Sequence, residues 1–414
     1  MKKITLICTV GTSFFQGNLS KLANEPENYS TNLPLDKLVR AYTLKDWSAL
    51  ALSMLEIPPN ERVLGAEINT IEFINARLHK EHSYLGRIVF LVSDTEDGTN
   101  TGKVLKEYYE RRALQDERFS DLVPDYRIVK DLQDADPHRF RKSGLLNLVR
   151  EISSVIKETG DPSNVIIDAT GGYKAQIAIA VMFGQALGID VIYKHERFST
   201  IIDFPPMPVS LDFSYFDQFN DLFLLYFYEP LQTLNFRQFS SYFDTAKPIN
   251  SYSELVNHEE FQKIKLFFDI EEVSGEHLFS MNYAGFIYAE AALKLQWQLK
   301  DRKTELKPLS DSERKPPQLR DDHYPIGFRE YVERIWRQEL WIATIVSIPY
   351  DKQRGIKQRG FYIKRIQGEK QLIGYYQDKN GFGARFRILM SSDMEPLIIR
   401  SAVTHLNSKI DVFG

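Results

Sequence analysis

Two short segments carry residue types that could bind an anionic ligand. Residues 9–13 (Thr-Val-Gly-Thr-Ser) and residues 168–174 (Asp-Ala-Thr-Gly-Gly-Tyr-Lys) each follow an apolar, β-branched strand pattern. In an open α/β sheet, a strand that ends in a glycine turn and enters a helix presents backbone N–H groups and a helix N-terminus to a phosphate. Two such turns in one chain predict a crevice lined by both.

The second turn is the more specific of the two. Neither turn matches G-x-G-x-x-G or the Walker A pattern, so an ordinary tight βα loop remains an alternative for each. Gly171 and Gly172, however, would let a ligand approach the backbone closely. Lys174 lies in the first turn of the predicted helix, where a cation opposes the helix dipole unless an anion compensates it.

Over roughly residues 1–205 the sequence resembles the CRISPR-associated Rossmann-fold sensor family, usually called CARF. The shared elements are a Val-Gly-Thr-Ser turn, an Asp-x-Thr-Gly-Gly-x-Lys turn and, between them, residues 65–70, similar to an Ala-Glu-x-x-Ser element. The resemblance implies a homodimer that binds a cyclic oligoadenylate, with cyclic tetra-adenylate expected first, as the activator of a type III CRISPR effector. The residues it places at the ligand are Gly11, Thr12, Ser13, Thr170, Gly171, Gly172 and Lys174. The bulky Phe14 and Phe15 after the first turn leave the ring size open.

The patterns around these turns alternate between strand and helix. Strands are predicted at residues 2–10, 87–92, 125–129, 165–167 and 191–193. Helices are predicted at residues 36–57, 67–80, 145–157, 177–186 and from residue 102, and a loop at residues 14–35. This alternation predicts a doubly wound, mostly parallel sheet. Because ligands of such sheets lie beyond the C-terminal strand ends, Asp94, which follows one strand, joins the ligand candidates.

Composition indicates a globular protein of two or three domains. The chain has 414 residues, 43% of them hydrophobic, and a net charge of −4. Its lone cysteine, Cys8, lies in the first strand, and the Cys and His spacing predicts no metal site. The sequence shows neither a signal-peptide pattern nor a membrane span, so a cytoplasmic protein without cofactor or membrane partner is expected.

Four segments follow from these patterns. They are a sensing domain at residues 1–208, a mainly helical connector at 209–300, a charged linker at 301–324 and a C-terminal α+β module with a small antiparallel sheet at 325–414. For the connector, a winged-helix-like module and a plain helical connector are both open. The last 64 residues, 351–414, contain 12 Lys and Arg against 6 Asp and Glu, a local charge of +6. This excess predicts contact with a polyanion, although an unevenly charged solvated surface would have the same composition.

Strand alternation places several cations of the terminal module on one sheet face. Strands are predicted at residues 360–366, 371–377, 385–390 and 396–403, with a hairpin at 378–381. Arg385 and Arg387 then share one face of a strand, and Lys364 shares a face with Tyr362. A basic face without paired carboxylates or metal ligands suits metal-independent RNA cleavage, because cations stabilise the phosphorane formed by attack of a 2′-hydroxyl.

Residues 325–410 resemble the RelE/ParE toxin family in the order of a helix, a basic strand, a Gly-aromatic-Arg strand and a basic tail. The second helix of the family's helical hairpin is short here, and residues 351–359 are unusually basic. The resemblance implies endoribonuclease cleavage of mRNA, commonly on the ribosome. Its catalytic candidates are Lys364, Arg365, Arg385, Arg387, His405 and Lys409.

Three other interpretations remain open. Arg400 and His405 fit the Arg-x4-His pattern of HEPN ribonucleases, which are often fused to CARF domains and cut free RNA. Residues 305–307 (Glu-Leu-Lys) match one element of metal-dependent PD-(D/E)xK nucleases, although they lie in the predicted linker. The third interpretation is a transcription regulator whose middle region is a winged helix. The acidic residues within 267–276 argue against this interpretation.

Overall fold

A computed structural model of the chain describes residues 1–25, 33–195, 198, 200–208, 211–243, 248–298, 306–320, 323–349, 359–366, 369–390 and 396–413. The chain forms two compact units, Met1–Val209 and Ser210–Gly414. The first unit contains a mostly parallel sheet. The second contains a mainly helical part followed by a small antiparallel sheet, so the predicted mixed α/β fold is confirmed.

The sheet of the first unit has β1 at its centre. Its strands are β1 Lys2–Thr9, β2 Ser83–Ser93, β3 Val123–Val129, β4 Val165–Asp168, β5 Asp190–Tyr193 and β6 Ile202–Phe204. They lie in the order β3-β2-β1-β4-β5-β6, and only the pairing of β5 with β6 is antiparallel. Because β1 pairs with β4 up to Cys8 and Asp168, the two predicted turns leave neighbouring strands at the same edge.

Helices cover this sheet, as the alternating pattern predicts. They are α1 Ser20–Asn24, α2 Leu35–Thr43, α3 Trp47–Met54, α4 Ala66–Lys80, α5 Glu96–Gln115, α6 Pro137–Arg139, α7 Leu145–Thr159 and α8 Lys174–Leu187. Short polar side chains cap several of them. Asp46 accepts from the Ala49 N–H at 2.9 Å, and Thr95 accepts from the Gly98 N–H at 3.0 Å.

Three predictions for this unit were wrong in detail. The predicted loop at 14–35 contains a π-helical turn, Phe14–Leu19, followed by α1, because Phe14 and Phe15 are buried in the core. Phe15 packs against Trp47 with ring centroids 5.0 Å apart. The predicted helix at 36–57 is split into α2 and α3, since Lys45 has a φ of +53°. The helix predicted from residue 102 begins six residues earlier, where Thr95 caps it.

The first part of the second unit is mainly helical and contains one small sheet. Its helices are α9 Ser214–Gln218, α10 Asn220–Tyr228, α11 Phe236–Ser240, α12 Tyr252–Asn257, α13 Glu259–Ile264 and α14 Tyr283–Gln298. Its strands β7 Leu234–Asn235, β8 Phe268–Val273 and β9 Glu276–Met281 form an antiparallel sheet in the order β7-β9-β8. Strands β8 and β9 form an antiparallel hairpin.

The second part of this unit is an antiparallel sheet with helices packed on one face. The strands are β10 Thr344–Ile348, β11 Gly360–Ile366, β12 Glu369–Gln377 and β13 Gly383–Leu389, in the order β10-β13-β12-β11. The helices are α15 Phe328–Gln338, α16 Pro396–Ser408 and α17 Ile410–Phe413. Phe361 and Ile363 of β11 and Phe386 and Ile388 of β13 form a core with these helices.

The strand predicted at residues 396–403 is wrong, because this segment belongs to α16. A run of Leu and Ile favours a strand locally. Here Ala402, Val403 and Leu406, at helical spacing, are buried against the sheet, so tertiary packing decides the conformation. Pro396 is compatible with a first helical turn.

Residues 306–320 of the predicted linker run along this part of the unit. Lys315 N–H donates to the Ala343 carbonyl at 2.8 Å, and Gln318 N–H donates to the Ile345 carbonyl at 2.7 Å. Gln318 also forms a parallel bridge with Val346 of β10, a strand that the sequence patterns missed. These residues therefore extend the edge of the sheet; residues 301–305 and 321–322 lie outside the described residues.

Candidate functional site

The first glycine turn contacts the second directly. A Cβ atom on Gly11 would lie 2.9 Å from the Gly172 nitrogen, closer than Cβ contacts normally are. Thr12 is half-buried and Ser13 is exposed at the start of the π-helical turn. The predicted convergence of residues 11–13 and 170–174 at one sheet edge is thus present within the first unit.

The second turn leaves no room for a side chain at its glycines. A Cβ on Gly171 would lie 2.7 Å from the Thr9 carbonyl oxygen and 3.0 Å from the Gly11 nitrogen, and it would overlap the Glu67 carboxylate. Gly172 has a φ of +101°, which favours glycine. The Gln176 side chain accepts from the Tyr173 N–H at 2.6 Å and closes the turn onto α8.

Glu67 links the two turns, and the list of candidate residues derived from the sequence omitted it. It lies in the first turn of α4, is only 3% exposed, and accepts from the Gly11 N–H at 3.2 Å. The same carboxylate lies beside Gly171. The Ala-Glu pair in residues 65–70 was the sequence signal for this contact.

Threonine hydroxyls hold the second turn against its neighbours. Thr9 donates to the Gly171 carbonyl at 2.6 Å. Thr170 Oγ1 accepts from the Lys194 N–H at 2.9 Å and lies 3.4 Å from the Thr70 hydroxyl. Thr170 therefore positions the turn relative to the end of β5, and its hydroxyl is already engaged.

Asp168, directly before the turn, has a perturbed titration. It is fully buried and accepts from the Thr170 N–H at 3.1 Å. Burial raises the pKa of the Asp168 carboxyl to about 7, the charge of Glu67 adds to this, and hydrogen bonds with Thr170 oppose it. A carboxyl that is substantially protonated near neutral pH can lie beside Glu67 without strong repulsion.

The two charged ligand candidates differ in their surroundings. Lys174 is exposed at the first turn of α8 and has no ion-pair partner within the described part of the chain. Asp94 is exposed too, but its carboxylate accepts from the Asp131 N–H at 3.0 Å and so anchors the loop after β3. Lys174 is therefore available to an anion, whereas Asp94 has a structural contact.

Gly171→Ala is expected to reduce the affinity for an anionic ligand at this edge at least tenfold, because the added methyl group separates the turn from Glu67 and Thr9. Calorimetric titration with cyclic tetra-adenylate measures this effect. Gly17→Ala is the matched control, since a Cβ at Gly17 meets only Ser13 Cβ at 3.7 Å. Equal affinities of the two variants would contradict the assignment of the Gly171 turn to the ligand site.

In the second unit, the predicted basic sheet face exists and is largely buried. Arg385 and Arg387 alternate with the core residues Phe386 and Ile388, as predicted. Lys364 is 6% exposed and Arg385 8% exposed. Lys364 Nζ and Arg385 Nη1 lie 2.8 and 3.0 Å from the same carboxylate oxygen, Asp221 Oδ2 on α10.

Two further predicted catalytic residues belong to this sheet, Arg387 on β13 and Arg365 on β11. Arg387 is half-buried and donates to the Gln371 side chain at 3.3 Å. Residue 365 pairs with Lys370 in the β11–β12 ladder, and the Arg365 side chain lies outside the described residues. Arg387 is therefore the predicted cation on this face that is least enclosed among those described.

His405 and Lys409 are not brought to that face. They approach Glu339, the residue after α15, on the side of the sheet where the helices pack. His405 Nε2 lies 2.9 Å from Glu339 Oε2, and Lys409 Nζ lies 2.8 Å from Oε1. The Trp341 indole N–H also donates to Glu339, at 2.7 Å. The predicted catalytic set is thus split between two faces.

The Glu339 carboxylate is a buried acceptor with an altered pKa. It is 3% exposed. Burial raises its pKa, but the hydrogen bonds from His405, Lys409 and Trp341 outweigh burial and hold the pKa at about 2. The ionised form is therefore favoured in the folded chain, and the contacts to it stabilise the fold.

Glu339→Gln is expected to lower the free energy of unfolding by about 2–3 kcal/mol near neutral pH, because charge-assisted hydrogen bonds are lost. Since the folded pKa is depressed, this contribution is full above about pH 4.3, the usual value, and is lost as the pH falls through about 2. Denaturant titrations between these pH values measure the free energy of unfolding of Glu339→Gln and of the unmodified chain, and the two values should converge as the pH falls. Glu333→Gln, which removes an exposed pair with Arg337 on α15, is the control; a constant difference at all pH values would contradict the cause given.

Arg400 lies in α16 together with His405, so the Arg-x4-His pattern is helical. The Arg400 side chain is outside the described residues. Across the described part of the chain, no group of His, Cys, Asp and Glu is arranged to hold a metal ion. None of the helices in that part has the length and apolar character needed to cross a bilayer.

Comparison with known proteins gives one family match. The model of a CRISPR-associated protein family, Cas_APE2256, matches residues 62–207, about a third of the chain. This range includes Glu67 and the Gly171–Gly172 turn and begins after the Gly11 turn. No curated protein matches the chain.

Solved structures are also similar to the chain, and one of them can be described. It is that of Can2 from Sulfobacillus thermosulfidooxidans in complex with cyclic tetra-adenylate, with a TM-score of 0.22 and 10% sequence identity. The match covers 71% of this chain and 64% of that one. A TM-score this low does not establish a common fold.

Proposed function

We propose that this chain is an ancillary effector of a type III CRISPR system, in which a cyclic oligoadenylate bound by the first unit activates an endoribonuclease in the second. The observation that carries the sensing half is the contact of both glycine turns with each other and with Glu67 at the C-terminal edge of β1 and β4. The N-terminus of α8 and the exposed Lys174 at this edge suit a phosphate group. The family match over residues 62–207 supports the same role.

The proposed ligand site is shared by two copies of the chain on a two-fold axis. A two-fold axis divides a ring of four or six nucleotides into equal halves but cannot do so for a ring of three. Cyclic tetra-adenylate, the smaller even ring, is therefore the activator we propose. Gly11, Gly171, Gly172 and Lys174 would contact its phosphates, and Thr170 would hold the turn in place.

The proposed ribonuclease resembles RelE toxins and cuts mRNA on the ribosome. Helices α15, α16 and α17 pack on one face of the β10–β13 sheet. Lys364, Arg385 and Arg387 lie on the other face, where Asp221 of α10 contacts the first two. In the proposed reaction, the 2′-hydroxyl loses its proton and its oxygen bonds to the adjacent phosphorus. The bond from phosphorus to the 5′-oxygen breaks, which leaves a 2′,3′-cyclic phosphate, and the 5′-oxygen takes up a proton. Arginine and lysine stabilise the charge that develops on the phosphorane oxygens. This step needs no metal ion.

A second candidate function, a HEPN-like ribonuclease, is favoured by the helical conformation of residues 396–408. Arg400 and His405 lie on this one helix, which supports the HEPN-like proposal. Glu339 could orient the His405 ring for proton transfer to free RNA. In this alternative the basic sheet face has no catalytic role.

The test is RNA cleavage by the full chain in EDTA, with cyclic tri-, tetra- or hexa-adenylate and with or without ribosomes. Cleavage with the tetra-adenylate only when ribosomes translate the RNA supports the RelE-like proposal. Cleavage of free RNA supports the HEPN-like one. No cleavage under any of these conditions would refute both.

A further inference from the structure

Among the described residues, three side chains of the sheet donate to Asp221 of α10. Its Oδ2 atom accepts from Lys364 Nζ at 2.8 Å and from Arg385 Nη1 at 3.0 Å. Its Oδ1 atom accepts from the Tyr375 hydroxyl. The Asp221, Lys364 and Arg385 side chains are each 8% exposed, so this cluster is withdrawn from solvent.

The neighbouring Asn220 fixes α10 on the sheet. Its Nδ2 donates to the Ile363 carbonyl of β11 at 2.8 Å, and its Oδ1 accepts from the Tyr375 hydroxyl at 3.2 Å. Tyr375 and Arg385 are directly opposite each other in the β12–β13 ladder. The three donors therefore belong to a preformed sheet surface, and the anion comes from a separate helix.

The charges in this cluster do not balance. Among the described residues of the cluster, one carboxylate faces two cations. A buried arrangement of this kind is weak evidence for stability. Donors at these distances from a carboxylate have the geometry of charge-assisted hydrogen bonds, and phosphate oxygens accept such bonds equally well. A phosphodiester group carries the same single negative charge as Asp221.

Building on the proposed function, we propose that Lys364, Tyr375 and Arg385 form a binding site for one phosphodiester group of single-stranded RNA, and that Asp221 occupies this site as an internal anion. Asp221 and the RNA phosphate exclude each other. Activation then requires α10 to withdraw from the sheet. Arg387, which Asp221 does not contact, lies on the same face and can take the next phosphate along the strand.

Asp221→Asn tests this site without any activator. The full-length variant is expected to bind a short fluorescent single-stranded RNA about tenfold more tightly than the unmodified chain, because the competing charge is gone. Asp217→Asn is the matched control. Asp217 lies on the adjacent helix α9, is 4% exposed, and pairs with Lys370 at 3.7 Å instead. Equal RNA affinity of both folded variants and the unmodified chain overturns the proposal.

A second measurement uses the unmodified chain, in case Asp221→Asn does not fold. Amine-reactive labelling is expected to spare Lys364 in the free protein and to modify it severalfold faster with cyclic tetra-adenylate. Lys409, 40% exposed, is the internal control and should react in both states. Lys364 that stays protected while the same sample cleaves RNA would overturn the proposal. Absence of cleavage by the activated unmodified chain would instead refute the proposed function, and the RNA affinity of Asp221→Asn would still decide the phosphodiester site.

Discussion

Arg387→Ala is expected to slow activated RNA cleavage on the order of 10²–10³-fold, the usual loss when one donor to a developing oxyanion is removed. Arg387 shares the face of Lys364 and Arg385 but is half-buried, and among the described residues its hydrogen-bond partner is the neutral Gln371 side chain. Its substitution therefore leaves no carboxylate unpaired in the fold. Single-turnover cleavage in EDTA, with ribosomes and cyclic tetra-adenylate, measures the effect.

Arg400→Ala is the variant to compare with it. In the RelE-like reaction this change on α16 should leave the cleavage rate nearly unaltered. The reverse result, in which only Arg400→Ala loses activity and free RNA is the substrate, would support the HEPN-like reaction. Loss of cleavage by the unmodified chain on addition of EDTA would contradict both.

Lys174→Ala is expected to weaken the binding of cyclic tetra-adenylate by roughly 10- to 150-fold, since a hydrogen bond to a charged group contributes about 1.5–3 kcal/mol. Lys174 is exposed next to the two glycine turns and lies at the N-terminus of α8, where a bound phosphate also gains from the helix dipole. Isothermal titration calorimetry measures both the affinity and the stoichiometry.

Lys103→Ala is the control, because Lys103 is an exposed lysine of the same unit on α5. Unchanged affinity of Lys174→Ala would exclude this lysine from the site. A stoichiometry of one ring per chain, in place of one ring per two chains, would contradict the shared two-fold site even if the affinity changes as expected.

The strands and glycine turns of the first unit could be predicted because their sequence signals are local. A β-branched run predicts a strand, and two adjacent glycines followed by an apolar helix pattern predict the tight turn at residues 170–174. The order of strands in the sheet is not local, yet the alternation of strands and helices restricts it strongly. The contact of Glu67 with Gly11 was beyond this reasoning, since α4 had to be packed before the reach of that side chain was known.

By itself, the sequence determined the mostly parallel type of the first sheet, the two glycine turns and the alternation that puts Arg385 and Arg387 on one face. Only the tertiary structure decided what covers that face. Asp221 is 143 residues before Lys364 in the chain, and no periodicity relates them. Likewise, residues 396–403 have a strand-like composition, but burial of Ala402, Val403 and Leu406 against the sheet makes them helical and separates His405 from Lys364. Periodicity indicates which side of a helix or strand is apolar. The segment that packs against its other side depends on contacts between distant parts of the chain.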